Sequence, residues 1–364
     1  MSKDRRPTSD DRIDWQSVKR VLVIRLRSIG DTVLSTPSLI ALRRFLPNAQ
    51  IDVLLEDWVA PLLEGFDAVD NVVAMGKGTF DRLKTAWRIR RNRYDVVFNL
   101  HGGTTSTMLI RATGARHRVG YVDYQYSFFY NHLLSSSADF WNTDTTHSAE
   151  QQLALLGYVR VPVDDRPRTR LTVSDKDRES LEKKYLLRRP YALLHPASLF
   201  ATKQWSVENF ARVVEYLADR NIASIAVTSP AENLVLKQLA AAARSPVTTA
   251  DDLSLPEIIA LAADASVFVG NDSGIAHIAA AVNTPAVVVF GSSNRDHWRP
   301  WTDAANEIVF NPFACQPCPG YECKVYGTPK CIISVNPDQV IGAVESVLAQ
   351  SEKGEPQPAL LTTK

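Results

Sequence analysis

Residues 266–282 read SVFVGNDSGIAHIAAAV, an apolar run that ends in a polar turn and continues as an alanine-rich segment. The run is β-branched and aromatic without alternation, which is typical of a strand covered on both faces. Gly270 and Gly274 flank the turn, and the residues after it favour a helix. The same order occurs at residues 21–46, where VLVIRL precedes Gly30 and a helical pattern. Strands that alternate with helices in this way predict an α/β protein with parallel sheets.

The strand and helix signals form two groups, which predict two doubly wound, Rossmann-like domains. A chain of 364 residues is long enough for two domains of about 150 residues each. A stretch rich in proline and charge separates the groups near residues 160–190. We therefore expect a flexible segment at 1–17, a first domain at 18–175, a second domain at 185–336, a closing helix at 337–350 and a flexible tail at 351–364.

Composition and charge exclude several classes of protein. Lys and Arg number 41 against 40 Asp and Glu, so the whole chain has no strong field for binding nucleic acid. No apolar run approaches the roughly 18–20 residues that cross a bilayer. The start, MSKDRRPTSDDRIDW, lacks the apolar core of a signal peptide. We expect a cytoplasmic protein without a nucleic-acid partner.

Basic residues are concentrated in one part of the first domain. Residues 77–118 carry ten Lys and Arg against two Asp. Within this part, residues 80–93 (FDRLKTAWRIRRNR) predict an amphipathic helix with a basic outer face. Charge runs often only face water, and an anionic partner of the N-terminal half is the alternative interpretation.

The loop after the first predicted strand, residues 25–31, contains one glycine, Gly30. A dinucleotide fingerprint needs three glycines for its tight turn and for the approach of the pyrophosphate, which counts against a nicotinamide enzyme. Asp31 lies in the first turn of the next predicted helix. Its carboxylate either stabilises the helix dipole or is presented as a general base.

A second candidate loop lies at the end of the strand predicted at 266–272, before an apolar helix. Asp272, Ser273 and Gly274 occupy a helix entrance, where backbone N–H groups and the helix dipole form an anion site. His277 follows within the first turns of this helix. A histidine in an alanine-rich helix is either packed in the core or part of the site, and the sequence leaves both interpretations open.

Two further loops of the second domain carry polar groups suited to a nucleotide. Ser198, Thr202 and Lys203 combine two hydroxyls with a cation, as a diphosphate requires, although a lysine is often only solvated. Glu232 begins the helix after residues 223–229, where a carboxylate could reach ribose hydroxyls. A favourable interaction with the helix dipole explains the same carboxylate equally well.

Four cysteines, Cys315, Cys318, Cys323 and Cys331, cluster near the C-terminus. A Cys-x-x-Cys pair followed by two more thiols could bind zinc, but the second pair is spaced by seven residues instead of two. Reduced structural thiols are the preferred interpretation, and disulfides are not expected without a signal peptide.

The order of motifs resembles a known family. From about residue 18 to 348 the chain contains VLVIRLRSIGDTVLSTPSLIALRRFLP, FNLHGG, HPAS, KQWSVENFA, FVGNDSGIAHIAAAVNTPAVVVFGSS and the spaced cysteines before NPDQV. Together they resemble the ADP-heptose:lipopolysaccharide heptosyltransferases of glycosyltransferase family 9. The resemblance implies a GT-B fold, with two Rossmann-like domains facing a cleft and the C-terminal helix packing back toward the N-terminal domain. It also implies an inverting transfer that needs no metal ion and no cofactor.

The resemblance assigns roles to individual residues. It implies that Asp31 is the base that takes the proton of the acceptor hydroxyl, and that Glu232 and Leu253 lie beside the nucleoside. Ser273 stands where many members have threonine, and it keeps the hydroxyl. The other residues that the resemblance places at the ADP-heptose donor are Ser198, Thr202, Lys203, Asp272, Gly274 and His277.

The implied acceptor is an anionic lipopolysaccharide core, either Kdo-lipid A or a core heptose. Arg27, Arg111, Arg116 and the basic helix at 82–93 would then contact this acceptor, with peripheral contact at the inner face of the cytoplasmic membrane. Three alternatives stay open: another nucleotide-sugar donor, a GT-B isomerase of sugar nucleotides, and a non-enzymatic module held by the cysteine cluster. The sequence predicts no oligomeric state.

Overall fold

A computed structural model describes residues 12–318 and 321–353, which form two compact units with their boundary between Thr169 and Arg170. Each unit contains one six-stranded sheet, and all strand pairs in both sheets are parallel. The predicted doubly wound α/β class is therefore confirmed.

The first unit has its strands in the order β3-β2-β1-β4-β5-β6. The strands are β1 (Arg20–Ile24), β2 (Gln50–Glu56), β3 (Asn71–Met75), β4 (Val96–Asn99), β5 (His117–Tyr121) and β6 (His132–Leu134). The helices are α1 (Ile29–Val33), α2 (Thr36–Phe45), α3 (Thr79–Arg91), α4 (Thr104–Thr113), α5 (Ser137–Trp141) and α6 (Ser148–Tyr158). Val21 of β1 pairs with Ile51 on one side and Val96 on the other, so strand order reverses between β1 and β4.

The second unit repeats this plan in the order β12-β11-β10-β7-β8-β9. Its strands are β7 (Tyr191–His195), β8 (Ala223–Val227), β9 (Val247–Ala250), β10 (Val267–Asn271), β11 (Ala286–Val289) and β12 (Asn306–Val309). Its helices are α7 (Asp175–Lys184), α8 (Val207–Asp219), α9 (Asn233–Ala242), α10 (Leu255–Ala263), α11 (Gly274–Ala281), α12 (Arg295–Trp298), α13 (Lys330–Ile333) and α14 (Pro337–Lys353). The reversal of strand order falls between β7 and β10.

Hydrophobic burial explains why these segments form these elements. Every residue of β4 and β10 is buried, as their unbroken apolar runs predict for central strands. In α8, Ser206 accepts a hydrogen bond from the Asn209 N–H and caps the helix. Its inner face, at helical spacing, is Phe210, Val213, Val214 and Leu217. Each such side chain contributes about 1.5–3 kcal/mol to folding.

The closing helix α14 belongs to the core of the second unit. Its buried residues Val340, Val344 and Val347 share one apolar cluster with Trp205. The indole Nε1 of Trp205 donates a hydrogen bond of 2.9 Å to the Val335 carbonyl just before the helix. The helix packs against the second sheet, because its valines supply apolar cover that this sheet needs.

The predicted flexible ends lie mostly outside the described residues, which begin at 12 and end at 353. Within the predicted N-terminal segment, Trp15 packs edge-on against Phe45 at 5.4 Å and donates a 2.9 Å hydrogen bond to the Val159 carbonyl. At the other end, α14 continues through residues predicted as the start of the tail. In the described part of the chain, no helix combines the length and apolar character that crossing a membrane requires.

Candidate functional site

Each sheet has a natural ligand position where its strand order reverses. In open parallel sheets, ligands bind outside the carboxyl ends of the strands at such a switch point. In the first unit the loops concerned are residues 25–28 after β1 and 100–103 after β4. In the second unit they are residues 196–203 after β7 and 272–273 after β10.

Asp31 lies at the switch point of the first sheet, in the first turn of α1. Ser28, at the N-cap, donates its hydroxyl to Asp31 Oδ2 at 2.9 Å. Arg25 forms an ion pair with Asp31 Oδ1, and its Nη1 donates a 2.6 Å hydrogen bond to the Leu100 carbonyl. The Asp31 side chain keeps 21% of its surface exposed. Its carboxylate is thus held in a fixed orientation and remains accessible to a ligand.

His101 follows β4 and lies beside this carboxylate. Its backbone N–H donates to the Oδ1 of the fully buried Asn99 at 3.1 Å. Burial, together with the positive charges of Arg25 and Arg27, lowers the pKa of His101 to about 4, so its imidazole is neutral at physiological pH. Its Nδ1 is buried without a hydrogen-bond partner among the residues described. A buried nitrogen of this kind still lacks the hydrogen-bond partner that buried polar atoms usually have.

Gly102 shows why glycine follows this histidine. Its φ angle is +78°, and a Cβ there would come within 2.5 Å of the Tyr124 ring. A side chain would therefore be strained by the backbone and blocked by the ring. The glycine lets the chain turn closely from β4 into α4.

The three arginines predicted to bind the acceptor do not lie together. Arg27 is exposed on the same loop as Ser28. Arg111 is in the last turn of α4, which starts at this edge of the sheet and runs away from it for roughly 15 Å. Arg116 precedes β5 and therefore lies at the amino edge of the sheet. Arg27 lies on the loop before Asp31, at the carboxyl edge of the sheet. Arg116 lies at the amino edge, because a strand separates the residues before it from those after it.

Lys203 and Asp272 meet at the switch point of the second sheet. Lys203 Nζ lies 2.8 Å from Asp272 Oδ2, and Ser293 donates its hydroxyl to the same oxygen at 2.5 Å. The Asp272 side chain is 6% exposed, whereas that of Lys203 is 22% exposed. The buried carboxylate therefore fixes the position of the lysine amine, and the lysine side chain stays partly exposed.

Asn271 ties the lysine loop to the central strand β10. Its side-chain oxygen accepts from the Trp205 N–H at 3.0 Å, and its Nδ2 donates to the Pro196 carbonyl at 2.9 Å. Asn271 is fully buried. The two ends of the loop that carries Lys203 are thus fastened to the last residue of β10, directly before Asp272.

Ser273 and Gly274 form the entrance of α11, as predicted from the turn. Ser273 is the N-cap with extended backbone, and its Oγ is buried without a partner in the described part of the protein. The first backbone N–H groups of α11 are free of intrahelical acceptors, and the helix dipole is positive there. A buried hydroxyl beside a helix N-terminus is suited to binding phosphate oxygens.

The remaining residues of the predicted donor site differ in their surroundings. Thr202 is 2% exposed, and its Oγ1 accepts a hydrogen bond of 3.0 Å from the Ser292 hydroxyl. Ser198 is half-buried on the same loop. His277 is buried, one turn into α11. The sequence left packing and binding equally open for His277. The structure adds that the side chain is buried, and burial is compatible with both.

Glu232 and Leu253 lie in the loops after β8 and β9, at the same carboxyl edge as Lys203. The Glu232 carboxylate accepts the Ser229 hydroxyl at 2.6 Å and the Ser229 N–H at 3.3 Å, which closes a capping box. Leu253 is half-buried. The Glu232 carboxylate therefore caps the start of a helix, and it lies at the carboxyl edge of the second sheet.

The cysteine cluster contains free thiols. Cys331 is buried, and burial raises the pKa of its thiol, while the other three are half-buried. Within residues 12–318 and 321–353, no three His, Cys, Asp or Glu side chains are arranged to hold a metal ion.

Arg25 and His101 interact with Asp31 in the structure, and the sequence interpretation gave neither of them a role. Both stand in motifs that were recognised, RLRSIGD and FNLHGG. The signal that could have found His101 is its position directly after a buried strand, because parallel strands bring their carboxyl ends to one edge.

Comparisons with known proteins bear on the family and the fold. Residues 82–328 match the model of Glycosyltransferase family 9 (heptosyltransferase). Lipopolysaccharide heptosyltransferase 3 of Escherichia coli K12 is 28% identical over 348 residues, which is 89% of this chain and 97% of that protein. The structure of E. coli ADP-heptose lps heptosyltransferase II has a TM-score of 0.77 at 23% identity, covering 92% of this chain and 99% of that one. E. coli heptosyltransferase WaaC with ADP has a TM-score of 0.67 at 20% identity, with coverage of 90% and 99%. These matches confirm the predicted family resemblance and GT-B fold.

Proposed function

The chain belongs to glycosyltransferase family 9 (heptosyltransferase), and from this membership we propose that it transfers a heptose from ADP-heptose to a lipopolysaccharide core. The proposed acceptor is Kdo-lipid A or a heptose already on the core. The names of the similar proteins, with lipopolysaccharide heptosyltransferases and an ADP complex among them, support this choice of donor and acceptor. Because that acceptor is a lipid, the proposal includes peripheral contact with the inner face of the cytoplasmic membrane.

The observation that carries the proposal is the Lys203–Asp272 pair beside the buried Ser273 hydroxyl. When the sugar leaves ADP, negative charge grows on the β-phosphate. A preorganised cation and a helix N-terminus stabilise such charge most effectively where water is excluded. We assign this role to the Lys203 amine and the first N–H groups of α11. Asp272 acts through Lys203, since a carboxylate would repel the phosphate and is already engaged by the amine.

Asp31 is the proposed base of an inverting displacement. The oxygen of an acceptor hydroxyl attacks the anomeric carbon, the bond from that carbon to the β-phosphate oxygen breaks, and the hydroxyl proton passes to Asp31. Ser28 and Arg25 hold the carboxylate for this transfer. A positioned general base contributes typically 10²- to 10⁴-fold in rate. The chemistry needs no metal ion, because Lys203 and the helix N-terminus supply the positive charge.

Arg27, which is exposed on the loop before Asp31, adds a positive charge at the acceptor edge of the first sheet, and this charge suits an acceptor rich in anionic groups. His101, neutral at physiological pH, offers a nitrogen to a sugar hydroxyl at the same edge. Arg111, in the last turn of α4, and Arg116, just before β5, have no part in the proton transfer in this proposal, and they are proposed to contact anionic groups of the acceptor away from the reacting hydroxyl.

The experiment that tests this function measures transfer with purified protein, ADP-heptose and Kdo-lipid A, with product detection by mass spectrometry. We expect a mass increase of one heptose, with ADP release that requires the acceptor. ADP-glucose in place of ADP-heptose tests the donor, and a core acceptor that already carries heptose tests the acceptor. Lys203→Gln removes most of the activity, while Lys237→Gln, an exposed lysine on α9, leaves it unchanged. ADP release without any acceptor would contradict the transferase assignment.

A further inference from the structure

The outer face of α3 exposes large apolar side chains. Phe80 is 87% exposed, Leu83 62% and Trp87 60%. Spacings of three and four residues place them along one side of the helix. The opposite side packs into the unit through Thr85 and Ile89. The helix therefore has an apolar stripe toward the core and a second one toward the outside.

Basic side chains flank the outer stripe. Lys84, Arg88 and Arg91 are exposed, and the Arg91 guanidinium lies 4.5 Å from the centroid of the Trp87 ring. The single acidic residue of α3, Asp81, is turned toward the helix start, where it accepts a hydrogen bond from the Gly78 N–H at 3.3 Å. The outward face thus combines aromatic and aliphatic groups with positive charges that form no ion pair within the described residues.

We propose that this face of α3 is a docking surface for an anionic lipid bilayer. Helices that lie in the membrane interface have Trp, Phe and Leu on one face and Lys or Arg beside them. Tryptophan favours the headgroup level, and basic side chains are attracted by anionic headgroups. The stripe of Phe80, Leu83 and Trp87 enters the interface, and the flanking cations contact lipid phosphates. The charge complementarity favours this occupant over an apolar protein groove, which would leave the cations without partners.

The position of α3 relates this surface to the proposed function, on which this part of the inference rests. Phe80 lies just after the carboxyl end of β3, so the start of α3 is at the same sheet edge as Asp31. Docking along α3 brings that edge to the membrane surface. A lipid-anchored acceptor presents its sugars at that height.

The test measures co-sedimentation of the full-length protein with vesicles of phosphatidylglycerol and phosphatidylethanolamine, and with phosphatidylcholine vesicles. We expect binding to the anionic vesicles that weakens as salt is raised, and little binding to phosphatidylcholine. The double variant Leu83→Gln/Trp87→Gln lowers the partition constant by at least about tenfold. Leu186→Gln, which removes a leucine of 87% exposure in the second unit, keeps wild-type binding. The variant Lys84→Gln/Arg88→Gln loses the preference for anionic lipid.

Several outcomes would overturn the docking surface. These are absence of binding by the wild type, wild-type binding by the Leu83→Gln/Trp87→Gln variant, or an equal loss with Leu186→Gln. Heptose transfer to a delipidated, water-soluble acceptor separates this inference from the proposed function. Transfer without vesicle binding removes the docking surface alone, and vesicle binding without transfer removes the proposed function alone. Equal transfer by wild type and double variant to the soluble acceptor shows that the variant is folded.

Discussion

Replacing Lys203 by glutamine has two separable consequences, one for stability and one for the donor. Asp272 would keep its hydrogen bond from Ser293 but lose the ammonium that neutralises it. Removing one partner of a fully buried ion pair costs about 3–5 kcal/mol. Since the Lys203 side chain is 22% exposed and Ser293 remains, we expect a loss of about 2 kcal/mol. For a unit of this size, that loss lowers Tm by roughly 4–8 °C.

The same substitution weakens the binding of ADP. A charge-assisted contact from lysine to phosphate is worth about 1.5–3 kcal/mol, which corresponds to a roughly 10- to 150-fold rise in Kd. Isothermal titration calorimetry measures the change in Kd for ADP, and thermal unfolding measures the change in Tm.

The double variant Lys203→Gln/Asp272→Asn separates the two effects. It leaves no unpaired charge, so Tm returns most of the way to that of the wild type, whereas ADP affinity stays low. Recovery of ADP affinity in the double variant would refute the assignment of Lys203 to the diphosphate, because the single variant would then have acted only through the stranded carboxylate. Wild-type ADP affinity in Lys203→Gln would refute it equally.

Three further substitutions test the rest of the site. Asp31→Asn should lower kcat at least about 100-fold while Kd for ADP changes less than twofold, and a kcat near that of the wild type would remove Asp31 as the base. His101→Gln tests the lowered pKa of about 4, which means that the folded state favours the neutral imidazole. The stability contributed by this imidazole is present above pH 6.5 and is lost as the pH falls toward 4. In urea unfolding, the free energy of unfolding of the variant should therefore fall by about 2 kcal/mol less than that of the wild type over this pH range. Parallel pH profiles for the two proteins would contradict it. Asn271→Ala leaves the Trp205 N–H and the Pro196 carbonyl without their hydrogen bonds to this side chain. The free energy of unfolding should therefore fall by about 2–3 kcal/mol. Denaturation curves that superimpose on those of the wild type would show that these hydrogen bonds do not hold the loop.

Much of the site could be located from local patterns. Asp31, Ser273 and Gly274 each follow an apolar strand and lie at the start of a helix. About a dozen consecutive residues are enough to recognise this order of strand, turn and helix. Parallel pairing then brings such turns to one edge of a sheet. The prediction of an anion site at residues 272–274 needed only these facts, and the buried Ser273 hydroxyl is consistent with it.

Side-chain partners could not be read in the same way. Lys203 and Asp272 are 69 residues apart, and the sequence placed both at the donor without predicting that they pair with each other, as they do in the structure. Thr202 lies next to Lys203 in the chain, yet its hydroxyl is buried against Ser292. A residue and its neighbour in a loop can face opposite ways, and which one faces the ligand depends on what packs behind the loop.

The amino-acid order alone was sufficient for the alternation of strands and helices, for the two sheets and for the turns that carry Asp31 and Ser273, because backbone propensity and apolar periodicity act over short stretches of chain. It could not supply the pairing of Arg25 with Asp31, the neutral His101 beside them, or the removal of Arg111 and Arg116 to other parts of the first unit. Those features arise from strand order and side-chain packing, which bring together residues far apart in the chain and separate residues that share a charge.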